Sequence, residues 1–179
     1  MTRDTPRAQL SCEITPELYR AIRRLWIQHS IAEERRDLPG LLETLTQDCV
    51  YEIIPTGQRW EGHSGARAFY ESFIHAFPDV KFRLHDIVIG PQGVMETAEL
   101  TGTHEQAWGD FPPSKQPIRL LLVIHFPWNA EEGKFAGEKI YFDRAALATG
   151  PVPFLDERRG SSPTSRNDNS ACAAATQWK

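Results

Sequence analysis

The chain has 179 residues and a mass of 20.3 kDa, one domain plus tails by the usual size of about 100–200 residues per domain. Forty percent hydrophobic residues, a quarter charged and ten percent aromatic describe a globular chain, and a formal charge of −4 excludes the broad basic surface that nucleic-acid binding requires. The longest apolar run, Leu120–Ile124 with Phe126 beyond it, is strand-sized and excludes a membrane-spanning helix, which needs about 20 such residues. Three cysteines (Cys12, Cys49, Cys172) without a CxxC spacing exclude a disulfide framework and a zinc site. With a polar start, Met1–Leu10, that has no apolar core of a secretion signal, they point to the cytoplasm.

Residues 1–13 read as a flexible N-terminal tail. Thr15-Pro16-Glu17 then opens a helix with a capping hydroxyl and a proline in the first turn, and Leu18, Ile22, Leu25, Trp26 and His29 keep helical spacing to about Glu33. Asp37 and Pro39 start a short helix to Leu45. Cys49–Pro55 is β-prone, Thr56-Gly57 turns the chain, and Arg59–Glu61 returns. A third helix over Ser64–Ala76 carries Phe69 and Phe73 on one stripe, continued by Phe77. Beyond Pro78-Asp79 the pattern is strands throughout: Val80–Ile89, Val94–Gln106, Pro117–Trp128 and Lys134–Asp143, joined by turn-rich segments. Helices followed by hairpin-connected strands predict an α+β domain over residues 14–150, a curved antiparallel sheet wrapped over about three helices. Residues 151–179 read as a disordered C-terminal tail, because Gly160–Lys179 holds no Val, Ile, Leu, Met, Phe or Tyr with which to offset ordering entropy.

The string Trp60-Glu61-Gly62-His63-Ser64-Gly65-Ala66-Arg67-Ala68-Phe69-Tyr70, followed by Ala76-Phe77-Pro78-Asp79, resembles the signature of SnoaL-like polyketide cyclases. Thr101-Gly102-Thr103-His104 and Gly137-Glu138-Lys139-Ile140-Tyr141-Phe142-Asp143 extend the resemblance, which covers about Tyr19–Leu147. It implies the cone-shaped α+β fold shared with ketosteroid isomerase and nuclear transport factor 2. It further implies a ligand cavity between sheet and helices, no metal, no cofactor, and a homodimer formed through the sheet's other face.

Candidate site residues follow from residue chemistry within that frame. His104 ends the alternate set Val94, Glu96, Ala98, Leu100, Gly102, the more apolar face of its strand, and a cavity-facing His transfers protons near neutral pH. Glu52 precedes a proline turn much as a ketosteroid-isomerase base does. Alternation puts Glu52 with Ile54 on one face and Tyr51 with Ile53 on the other, without saying which face is inside. The fifth strand departs from the family, for Arg119-Leu120-Leu121-Leu122-Val123-Ile124-His125-Phe126 lacks the carboxylate that the cyclases use there. If Arg119, Leu121, Val123 and His125 line the cavity, Arg119 clamps an oxyanion and His125 serves as acid or base; otherwise the wall is hydrocarbon. Tyr51 and Trp60 would wall a substrate site, and Asp143 would orient a histidine or cap the following segment.

Two functions are therefore expected from the sequence. One is a cofactor-free cyclase or isomerase-type lyase that moves protons on a cyclic or polyketide-like carbonyl compound. It would use His104, Glu52 and His125, with Tyr51, Trp60, Arg119 and Asp143 holding the small-molecule substrate. The other is a non-catalytic binding or dimerisation module on the same fold.

Overall fold

The computed structural model describes residues 11–149. The segments 1–10 and 150–179, which hold most of the two expected tails and Cys172, lie outside the described residues. Helix α1 (Pro16–Glu34) starts where Thr15 Oγ1 accepts from the Leu18 amide, and α2 (Leu38–Glu43) where Asp37 accepts from the Gly40 amide. Both caps satisfy donors that a helix's first turn leaves unpaired. Then follow β1 (Leu45–Ile53), β2 (Gln58–Glu61), α3 (Gly62–Ala76), β3 (Lys81–Gly90), β4 (Gly93–Thr103), β5 (Pro117–Asn129), β6 (Lys134–Phe142) and the short α4 (Arg144–Thr149).

The six strands form one sheet in the order β2-β1-β6-β5-β4-β3. The sequence suggests an antiparallel sheet throughout, but β1 runs parallel to β6. The two come together only after the chain has run through all the intervening elements, so no tight turn fixes their relative direction. Gly137 makes their approach possible: its φ is +119°, and a Cβ there would collide with the Val50 carbonyl. The next residue, Glu138, is thereby set opposite Tyr51.

Strand pairing settles which face is inside. Phe82, Leu100 and Leu120 line up across β3–β4–β5, as do Ile87, Glu96, Ile124 and Ile140 across β3–β4–β5–β6. These rows face the helices, and their β4 and β5 members are buried with Ile22, Leu41, Phe69, Phe73 and Phe77 in a single core. A bulge in β3 between Leu84 and Asp86 keeps the apolar residues on both sides of it facing inward. The opposite face carries Met95, Leu121 and Tyr141, all exposed, among charged neighbours. The strand expected to reach Gln106 stops at Thr103, because the His104 amide turns to the Gln116 carbonyl and the Glu105 amide to Ala76. No helix among the described residues is long and apolar enough to cross a membrane.

Candidate active site

Under the concave face of the sheet lies a small cavity of about 20 Å³, room for roughly one water molecule. Phe69, Phe73, Phe77, Phe82 and Trp108 form its aromatic wall, and Leu100, Leu120, Leu122, Ile124 and Ile140 its aliphatic one. Two carboxyl groups interrupt this hydrocarbon, Glu33 from the end of α1 and Glu138 from β6.

These carboxyls belong to a buried polar network. Thr44 Oγ1 donates to the Leu41 carbonyl at 2.6 Å, and His29 Nδ1 lies 2.6 Å from the same oxygen. The hydroxyl proton is already committed to Leu41, so Nδ1 is the donor in the His29–Thr44 contact. The other ring nitrogen, Nε2, is 3.0 Å from Glu138 Oε1, which also accepts from the Tyr70 hydroxyl at 2.7 Å. A single proton therefore occupies the contact between His29 and Glu138, on one partner or the other. His29 and Glu138 are 0% and 2% exposed, so neither charge nor proton is exchanged freely with bulk water.

Two further acids face this pair. Burial is the main cause that pushes the Glu33 carboxyl well above the usual carboxylate range, followed by repulsion from Glu138 and Glu96. Glu96 accepts from Trp26 Nε1 at 2.9 Å, yet burial and then Glu138 push it up to about 7. These causes favour the protonated form of Glu33, the form able to donate to whatever enters. The Tyr51 hydroxyl points into the same cluster beside Tyr70 and Glu138. It is fully buried, has no hydrogen bond of good geometry, and is raised well above its ordinary pKa by burial first.

The residues singled out in the sequence are distributed differently. His104 is buried at 1% exposure, but Phe77 stands between it and the cavity: the two rings stack at 4.9 Å and 28°. Neither nitrogen of His104 finds a hydrogen-bond partner, and burial lowers its pKa. Glu52 shares the outer face with Arg59, 2.8 Å away, and Lys139, because its neighbours Tyr51 and Ile53 take the inner one. Arg119 and His125 also face outward, the first bonded to Glu99 Oε2 at 2.6 Å and the second across from Met95 and Lys139. The inner wall of β5 is accordingly the hydrocarbon set Leu120, Leu122, Ile124 and Phe126. Trp60 packs edge-on against Phe69, one layer outside the cavity, and Asp143 accepts from the Ala145 amide at the start of α4. Of the seven, only Tyr51 reaches the polar cluster.

Glu33, Glu138 and His29 escaped the sequence reading as site residues, although periodicity carries them. Ile22, Trp26, His29 and Glu33 continue one helical stripe, and Glu138, Ile140 and Phe142 alternate on one strand face. An acid at the end of an otherwise buried stripe is the signal that went unused.

This arrangement of sheet and helices matches known proteins. The sequence fits the SnoaL-like polyketide cyclase family over residues 17–149. The chain belongs to that family. Among curated proteins nothing matches the SnoaL-like chain. Among solved structures it is similar to a candidate SnoaL-like polyketide cyclase from Jannaschia sp. (TM-score 0.66, 19% identity, covering 78% of this chain and 96% of that one). It is also similar to AclR, a candidate hydroxylase from Streptomyces galilaeus (0.58, 19%, 72% and 93%). A third is a nuclear transport factor 2-like protein of unknown function from Burkholderia pseudomallei (0.58, 18%, 70% and 92%). At these identities the likeness establishes the fold, within which different activities are housed. Among the described residues of the SnoaL-like chain, no three His, Cys, Asp or Glu side chains converge as metal ligands.

Proposed function

We propose that this chain is an enzyme that moves protons on a cyclic or polyketide-like carbonyl compound using side chains alone. The observation that carries the reading is the pair of carboxyl groups, Glu33 and Glu138, opening into an otherwise apolar cavity. Glu33, whose protonated form is favoured by burial and by its neighbouring carboxylates, donates its proton to the substrate's carbonyl oxygen as the enol forms. The Tyr51 hydroxyl, lacking a bond of its own, is a second donor for that oxygen. Glu138 receives the proton leaving the adjacent carbon on its second carboxylate oxygen, since its contact with His29 already holds one proton, and Thr44 and Tyr70 fix the two ends of the His29–Glu138 pair. The strand-five acid that the cyclases use is replaced in this reading by acids from α1 and β6. We further propose a homodimer through the outer face, where Met95, Leu121 and Tyr141 stand exposed; light scattering that returns a monomer mass removes it.

The test is hydrogen–deuterium exchange at the carbon next to a carbonyl, followed by NMR on a fused-ring monoketone such as 1-tetralone. The wild type accelerates exchange, and Glu33→Gln, which keeps a donor but has no acidic proton, slows it by about 10²–10⁴. A second reading is a non-catalytic binding module on the same fold, supported by the absence of a carboxylate from the inner face of β5. No exchange above background in the wild type, together with tight ligand binding, would establish that alternative.

A further inference from the structure

A cavity of about 20 Å³ admits no organic ligand, whereas ligand sites typically enclose a few hundred Å³, so something in its wall must yield. The inner wall is made mostly of strand and helix residues. The exceptions are Phe77, which caps α3 with its amide bonded to the Phe73 carbonyl, and Trp108, borne on the segment between β4 and β5. Its backbone hydrogen bonds run to Phe111 in the same segment, in both directions at 3.0 and 3.1 Å, and not to the sheet. The next residue, Gly109, holds φ at +57°. The indole is nonetheless 5% exposed, wedged face-on against Phe142 at 5.9 Å and edge-on to Phe73 and Phe77 at 5.5 Å each. Its Nε1–H is buried with no acceptor. A buried donor without a partner opposes burial of the ring, and outward rotation relieves it by restoring hydrogen bonding to water.

We infer that Trp108 is the gate of the cavity and its size-selecting residue: the indole fills the slot between Phe73, Phe77 and Phe142, and a flat apolar ring enters by taking its place. This rests on reading the cavity as the functional site. The slot is bounded by aromatic faces and edges, which favours a planar ring over a branched aliphatic group of equal volume. The same displacement brings an entering ring's polar edge toward Glu33 and Glu138, which border the same cavity.

The experiment is stopped-flow binding of N-phenyl-1-naphthylamine, a neutral probe that brightens in apolar sites, to the full chain. Trp108→Ala raises the association rate and the affinity at least tenfold, and Trp108→Phe falls between it and the wild type. Rates within twofold of wild type in both variants overturn the gate. Trp108→Ala is checked for a cooperative thermal transition, and the wild type labelled with 5-fluorotryptophan supplies a measurement needing no truncation. There the Trp108 fluorine line, assigned through Trp108→Phe, moves when the probe binds. A line that stays in place while the probe binds overturns the gate equally. The α-carbon exchange assay is read separately. Absent exchange with a tenfold faster probe keeps the gate and removes the enzyme; present exchange with unchanged probe rates does the reverse.

Discussion

Glu52 and Glu138 lie on adjoining strands one position out of step, Tyr51 being paired with Glu138 and Glu52 with Lys139. That single step sends the two carboxyls to opposite faces of the same sheet. On the outer face Glu52 meets Arg59 and Lys139 in partly hydrated ion pairs. On the inner face Glu138 meets an imidazole, a phenol and the buried Glu96, all shielded from water, and the half-buried Glu33. The same functional group is a screened surface charge in one place and part of a buried hydrogen-bonded network in the other, because solvation rather than residue type sets what a carboxyl does.

The contrast is broken most severely by removing Glu138. Glu138→Ala strands His29 and Tyr70 without their shared acceptor and is expected to lose about 3–5 kcal/mol of stability, read by denaturant unfolding. A loss below about 1 kcal/mol would mean that the network contributes nothing the cavity walls do not.

Glu96 gives a test with a sign. Its carboxyl rises from an ordinary 4.5 to about 7 on folding. The folded chain therefore holds a proton that the unfolded chain has released across that window, and stability from this residue is lost as pH rises through it. Wild-type melting should fall between pH 5 and pH 8, by a contribution on the order of 3 kcal/mol. Glu96→Gln should flatten the slope and leave the protein at least as stable at pH 8; an unchanged slope would move the titration elsewhere.

The smallest effect belongs to the outer face. Glu52→Ala is expected to change stability by about 0–1 kcal/mol, and less at high salt, as for other exposed pairs. It should leave α-carbon exchange as it stands in the wild type. A hundredfold fall in exchange would return Glu52 to the chemistry.

The helices, the strands and their order were legible from caps, turns and periodicity, and so was the family, from the Trp60–Tyr70 segment and its successors. Orientation was legible where alternation met strong contrast. In β4 the set Val94, Glu96, Ala98, Leu100 was expected inside and is buried. It was illegible where both alternatives were mixed: Tyr51 and Ile53 against Glu52 and Ile54 differ by one acid, and burying an aromatic hydroxyl on either side is acceptable. In β5 the choice between two apolar-rich sets rested on Arg119 and His125, which share the outer face with Glu99, diagonal to Arg119 and bonded to it, and with Lys139, directly across from His125. Nothing local announces that β1 lies beside β6, so the meeting of Tyr51 with Glu138 could not be read from either strand alone. Chemistry assembled from remote segments is visible only once the pairing is known.

The parallel seam between β1 and β6 has a temporal consequence. His29 and Glu138 are 109 residues apart in the chain, and the strand bearing the acid is the last of the six. Pairings between such distant segments form late, because the long loop must close before any contact rewards it. During synthesis helices α1–α3 and the β3–β4–β5 meander can be complete while His29 still lacks the Glu138 carboxylate and the imidazole faces a half-built interior. The His29–Glu138 pair comes into being with the final strand, so a chain that ends before β6 lacks it whatever structure it has already acquired.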